Sequence, residues 1–128
     1  MEVERLKKID VFSSASDDEL EHLAEIAEES SVEEGETIVR AGTWPYQLFA
    51  IEDGSAEVRR DGDVVAELGP GDVLGETGVL KRGLRNADVV ATTGTQLIFF
   101  THSQVKQMRK ESPELGERLQ ALAEARGG

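Results

Sequence analysis

The residues best placed to do chemistry lie in one stretch, Gly71-Asp72-Val73-Leu74-Gly75-Glu76-Thr77-Gly78-Val79-Leu80-Lys81-Arg82-Gly83-Leu84-Arg85-Asn86-Ala87. Glycines at 71, 75 and 78 let a backbone turn tightly and come close to a ligand, and a brief helical turn after Gly75 would aim unpaired N–H groups at an anion. Arg85 can add a charge-assisted contact of the kind that suits a phosphate. Glu76 suits the complementary role, since a carboxylate accepts hydrogen bonds from a sugar hydroxyl but repels a phosphate set directly against it. A plainer reading fits the same residues, in which Gly71 and Gly75 serve turns and Glu76 with Arg85 forms a surface ion pair. Spacing alone leaves both readings open.

Other chemistries find less to work with. His22 and His102 are the only histidines, both fall in expected helices, and neither has the spacing to a carboxylate cluster that a metal site needs. His22 reads as a solvated helix residue and His102 as a first-turn residue. Ser and Thr have no recognisable activating base, and neither the phosphate-loop nor the dinucleotide pattern is present. The expectation is therefore no catalytic residue, no metal and no enzymatic activity. Trp44 and Tyr46 flank Pro45 just after Gly42, which reads as a rigid turn whose aromatics serve packing or a surface loop rather than a ligand.

The elements that must position the glycine-rich stretch show in the hydrophobic period. Leu6 and Ile9 suggest a short helix over Glu4 to Ile9, with Val11-Phe12 as an anchor. Ser16 with Glu19 forms a capping-box pair ahead of Leu20, Leu23, Ala24 and Ala27, which predicts a helix from about Asp17 to Glu28. From Val32 to Phe100 the pattern turns strand-like. Runs at Thr37 to Val39, Gln47 to Glu52, Ser55 to Arg59, Asp63 to Leu68, Asn86 to Ala91 and Thr95 to Phe100 are separated by turns at Asp53-Gly54, Asp61-Gly62, Gly69-Pro70-Gly71 and Thr93-Gly94. Leu97 to Phe100 reads as a strand buried on both sides, with an aromatic facing the flanking helices. Many short strands without intervening long helices predict a mainly β, antiparallel sandwich or roll. Thr101 is placed to cap a helix bearing Val105 and Met108. Ser112-Pro113 is placed to start another with Leu115, Leu119 and Leu122 on one stripe. This gives one domain: a helical lead-in over 1–31, a β-roll over 32–100 and C-terminal helices over 101–126.

With 128 residues the chain is sized for one domain, and 38% hydrophobic against 31% charged residues is the composition of a folded one. Acidic residues number 26 against 14 basic, a net charge of -12, and Asp17 to Glu36 carries ten carboxylates with no Lys or Arg. Such a field repels phosphate backbones and anionic lipid, so nucleic acid and membrane are not expected partners of this chain alone. Lys81, Arg82 and Arg85 form a local basic group against that background. There is no cysteine, no apolar window long enough to span a bilayer and no secretory signal pattern at Met1 to Arg5. A cytoplasmic location is expected.

The stretch resembles the phosphate-binding cassette of the cyclic nucleotide-binding domain family, shared by catabolite activator-type regulators, regulatory subunits of cyclic nucleotide-dependent kinases and gated channels. The likeness rests on Gly75-Glu76, followed nine residues later by Arg85 with Ala87 two further on, and on glycines 35, 42, 54 and 71 at the family's turn positions. It runs from Val11-Phe12 to about Leu122. Leu74, Thr77, Leu84 and Asn86 differ from the residues the family commonly places there. The resemblance implies an eight-stranded jelly roll between helices and a ligand that is cyclic AMP or cyclic GMP. It implies that Glu76 takes the ribose 2′-hydroxyl, that Arg85 takes the cyclic phosphate, and that Gly75, Thr77, Gly78 and Val79 form a backbone cradle flanked by Asn86 and Ala87. The function implied is a regulatory sensor that signals through its C-terminal helices. The alternative is a ligand-free protein-interaction module that keeps the roll. The family's DNA-binding regulators continue into a helix-turn-helix, for which no room is expected after Gly128. Output is therefore expected through a protein partner, through self-association by the C-terminal helix, or through a further portion of a longer protein.

Overall fold

The structure, a computed structural model, describes residues 1–43, 47–74 and 87–125. Helix α1 (Val3–Lys7) and a 3₁₀ turn (Asp10–Phe12) lead into helix α2 (Asp17–Ile26). The α2 start is the one its sequence specifies: the Ser16 hydroxyl accepts from the Glu19 N–H, and the Glu19 carboxylate accepts from the Ser16 N–H. Thr101 and Gln104 repeat this box where the last strand passes directly into α3 (His102–Glu111). Pro113 then opens α4 (Pro113–Ala125). Ser112 does not spend its hydroxyl on that helix. It donates to Glu19 across the interface.

The middle of the chain forms strands β1 (Glu28–Val32), β2 (Thr37–Val39), β3 (Gln47–Asp53), β4 (Ala56–Arg60), β5 (Asp63–Leu68), β6 (Val73–Leu74), β7 (Asp88–Ala91) and β8 (Thr95–Thr101). Among the described residues they make two four-stranded sheets, ordered β1-β8-β3-β6 and β2-β7-β4-β5, with every pairing antiparallel. Two strands go beyond the sequence reading. β1 begins at Glu28, inside the stretch read as helical lead-in, and α2 stops at Ile26 rather than Glu28. Its sequence, Glu-Glu-Ser-Ser-Val, has little strand propensity, so it is recruited by pairing with β8 from Glu28↔Phe99 to Val32↔Thr95. β6 is two residues long, too short for a period to show.

Strands β3 and β8 are buried on both faces. Phe49, Ile51 and Leu97 point into the space between the sheets with Val39, Ala56, Leu68, Leu74 and Val89. Leu48, Ala50, Ile98 and Phe100 point the other way, against Leu6, Ile9, Phe12, Leu20 and Leu23 of the N-terminal helices and against Val105, Met108, Leu115 and Leu119 of α3 and α4. Phe12 meets Phe100 edge to face, with ring centroids 5.8 Å apart. The α4 stripe therefore belongs to the chain's own core: Leu115 and Leu119 are 2% and 0% exposed, and Leu122 packs beside them. Of the two packings the sequence left open for this stripe, Leu115 and Leu119 take the inward one, and Leu122 is partly buried.

Polar contacts fix the helices in place. Arg5 of α1 grips Glu52 of β3 with two N–H groups at 2.6 and 2.7 Å and also meets Glu29 of β1. Those hydrogen bonds raise the hold of the guanidinium on its proton and keep the Glu52 carboxyl below the usual range. Helix α2 holds the α3–α4 junction through two side chains, Glu19 to Ser112 and His22 Nε2 to Glu111 at 2.7 Å. His22 is thus partnered, not merely solvated. Gln104 adds a donor to the Ile26 carbonyl at 3.1 Å, and Arg118 of α4 reaches the Val11 carbonyl at 3.3 Å.

Two outcomes follow for stability. The Ser112 hydroxyl and the Ser16 cap depress the Glu19 carboxyl below its ordinary 4.5. Because the folded value is the lower one, this contribution is complete above about pH 4.5 and is lost as pH falls through the depressed value. Thermal melts of wild type and Glu19→Gln should therefore differ most near neutrality and converge in acid; a gap unchanged across pH would remove Glu19 from the acid response. The second outcome concerns Gly71, at φ +94°, where an added Cβ would lie 2.9 Å from Asp10 Oδ1 and 3.1 Å from the Lys8 carbonyl. Gly71→Ala should cost roughly 2–4 kcal/mol in urea unfolding, the sum of left-handed strain and overpacking. Gly35→Ala, with open space around a similar φ, should cost about 1–2 kcal/mol, from the strain alone.

Candidate functional site

The glycine-rich stretch is framed by two fixed ends. Its lead-in is a turn in which the Asp72 carboxylate accepts from the Gly69 N–H at 2.8 Å while Gly71 and Asp72 trade backbone hydrogen bonds with Ile51. The 3₁₀ turn presses on the other side, with Asp10 N–H donating to the Gly71 carbonyl at 2.9 Å. β6 then runs two residues along the edge of the first sheet, Val73 opposite Ala50 and Leu74 opposite Phe49. Leu74 is 1% exposed and points into the core between the sheets.

The described chain resumes in the other sheet. Ala87 is buried, and β7 enters between β2 and β4 with Asp88 opposite Arg59 and Val89 opposite both Val58 and Val39. Asp88 Oδ1 accepts from the Ala41 N–H at 2.7 Å, which ties the exit of the stretch to the turn after β2. Leu74 and Val89 are members of one apolar cluster. The two described ends of the stretch that carries Glu76 and Arg85 in sequence are thus anchored, and both adjoin one apolar cluster.

Of the expected site residues, Gly75, Glu76, Thr77, Gly78, Val79, Arg85 and Asn86 lie outside the described residues, as do Lys81, Arg82, Trp44 and Tyr46. Ala87 is described and is the residue just before the exit strand β7. Sequence reasoning passed over the residues that hold the frame. Asp72 carried a readable signal, since an Asp closing a Gly-Pro-Gly turn commonly accepts a nearby backbone N–H. Asp88 carried none, because its donor is forty-seven positions away.

Elsewhere among the described residues, clefts open between α3 and α4 and between α2 and the α3–α4 junction. No three His, Cys, Asp or Glu side chains among the described residues gather where a metal could be held. No helix among them is long and apolar enough to cross a membrane.

Comparison with known proteins bears on the same stretch. The family model of the cyclic nucleotide-binding domain matches residues 29–112, from within β1 through the glycine-rich segment to the end of α3. A cAMP-dependent protein kinase regulatory subunit of Schizosaccharomyces pombe is 32% identical over 96 residues, covering 74% of this chain and 23% of that protein. The regulatory subunit of a cAMP-independent protein kinase A from Trypanosoma brucei superposes with a TM-score of 0.82 at 28% identity, over 91% of this chain and 44% of that one. Thermus thermophilus catabolite activator protein shares the fold, with a TM-score of 0.81 at 24% identity over 91% of this chain and 57% of that one. The chain spans between 12% and 34% of the length of the curated relatives it matches. With two antiparallel sheets, helices at both ends and a family match that takes in both sheets and the segment between β6 and β7, this chain belongs to the cyclic nucleotide-binding domain family.

Proposed function

We propose that this domain is a regulatory sensor whose segment from Gly75 to Ala87 holds a cyclic purine nucleotide, cyclic AMP ahead of cyclic GMP, and whose C-terminal helices pass occupancy on. The observation that carries the reading is the framing of that segment: it leaves one sheet at buried Leu74 and enters the other at buried Ala87. A ligand bound there would touch a loop whose ends are fixed in both sheets. Glu76 accepts from the ribose 2′-hydroxyl in this reading, and Arg85 meets the cyclic phosphate beside the backbone donors of Gly75 to Val79. Binding without turnover is the whole of the proposed chemistry.

The route to the helices is short. The turn before β6 touches the 3₁₀ turn at Asp10, and the neighbouring Val11 carbonyl accepts from Arg118 of α4. A shift of the nucleotide segment would reach α4 through those contacts. The competing reading is a ligand-free interaction module, and the likeness to a subunit of a cAMP-independent kinase favours keeping it in view.

Isothermal titration of wild type, Arg85→Ala and Glu76→Gln with both cyclic nucleotides tests the assignment. Arg85→Ala should lose about 2–5 kcal/mol of binding, because a phosphate is left against an acidic protein without its cation. Glu76→Gln keeps an acceptor for the hydroxyl and should lose only about 1–2 kcal/mol. Equal affinity of wild type and a folded Arg85→Ala would sink the phosphate role. Absence of binding by wild type would favour the ligand-free module.

A further inference from the structure

We propose that the outer groove between α3 and α4 is a docking surface for an acidic peptide segment of a partner protein, held by Lys106, Arg109 and Lys110. α3 turns Val105 and Met108 into the core and leaves these three cations exposed along one flank, at positions i, i+3 and i+4. The chain has 26 acidic residues and 14 basic ones, so cations have carboxylates to choose from. Arg5 takes two, and Lys7, Arg59 and Arg118 take one each. The three groove cations take none among the described residues; Lys8, Arg40 and Arg60 take none either, but Lys106, Arg109 and Lys110 stand together on one flank of one helix. Of the acids near the junction, Glu111 is engaged with His22 and Glu114 with Arg118, while Glu117 lines the cleft without reaching any of the three cations within ion-pair distance.

The helix dipole accounts for cations in the last turn, Arg109 and Lys110, but not for Lys106 in mid-helix, and not for the shape of the wall opposite. That wall is α4, which places Gly116 where an alanine Cβ would lie 3.3 Å from Arg109 Cγ and 3.4 Å from its Cβ. A glycine inside a helix is destabilising relative to alanine, and here it lets the Arg109 stem lie across α4. The resulting cleft is about 470 Å³, room for several side chains rather than one ion, and Pro113 and Gln120 complete its floor and rim.

Its chemistry selects the occupant. Lys106 and Lys110 are about 6 Å apart along the helix axis, close to the roughly 7 Å between alternate side chains of an extended peptide. Carboxylates on every second residue of such a peptide match that row. Glu117, the one carboxylate lining the cleft, interrupts the positive row and disfavours an unbroken phosphate backbone.

The test uses the full chain and no nucleotide, so its outcome is independent of the cyclic nucleotide reading. The probe is a fluorescein-labelled peptide of alternating Glu and Ala, compared with its Gln/Ala counterpart by fluorescence anisotropy. The expected result is saturable binding of the Glu/Ala peptide, at least about tenfold tighter than the Gln/Ala one. Lys106→Glu/Arg109→Glu/Lys110→Glu should abolish it, and Arg40→Glu/Arg60→Glu, which reverses exposed cations elsewhere, should leave it within about twofold. Circular dichroism checks each fold; should the triple variant not fold, Lys106→Gln alone must weaken binding by about threefold or more. Equal binding of both peptides, no binding of either, or full binding by the triple variant overturns the proposal. So does a short DNA duplex that binds more tightly than the peptide and is lost in the same variant, or sedimentation showing that a second copy of the chain fills the groove.

Discussion

A strand pair buried on both faces sets the terms for everything around it. Leu48 and Ala50 of β3 and Ile98 and Phe100 of β8 serve the helical layer, while Phe49, Ile51 and Leu97 serve the space between the sheets. A one-residue slip of either strand would exchange the two sets, and both cores would be spoiled at once. Register is therefore held by two layers of packing rather than one. β6 inherits this precision, because its two residues pair with Ala50 and Phe49. The start of the glycine-rich segment is placed as accurately as the centre of the molecule.

The same strand pair explains why polar clamps are needed at the helical layer. Packing alone would let short helices slide on a smooth apolar sheet face. Arg5 to Glu52 fixes α1 to β3, and the Glu19 and His22 contacts fix α2 to the α3–α4 junction. These groups are partly exposed, so each contributes modestly to stability, but each removes a direction of movement. The layer that would carry a signal is thus held at a few identifiable points rather than by diffuse contact.

How much of this was legible follows from where the signal resides. Helix α2 and the start of α3 could be read because their caps are local, written in Ser16 with Glu19 and Thr101 with Gln104. β3 and β8 could be read from their apolar runs, and the split of Leu97 to Phe100 between two environments follows from strand alternation. β1 could not, since Glu28 to Val32 become a strand only through the pairing that β8 offers. The inward turn of Leu115 and Leu119 was equally invisible, because a stripe on a helix says that it packs, not against what. At the candidate site the sequence named the residues that differ in charge and freedom from their surroundings, while the structure supplied the frame of Asp72, Leu74, Ala87 and Asp88. A carboxylate bound to a backbone N–H far along the chain leaves no mark in a sequence window.

The layering of helices and sheets divides the molecule into two unlike sides. α1 and α4 rest on the same face of the β1-β8-β3-β6 sheet, so the first and last helices share one side of the roll. The second sheet contributes no residue to the helical core cluster, and on its edge strand β5 Val64 and Val65 stand about half exposed. A displacement of α4 would therefore be felt first by α1 and the 3₁₀ turn on its own side, and by the second sheet only through β3 and β8, whose side chains serve both cores.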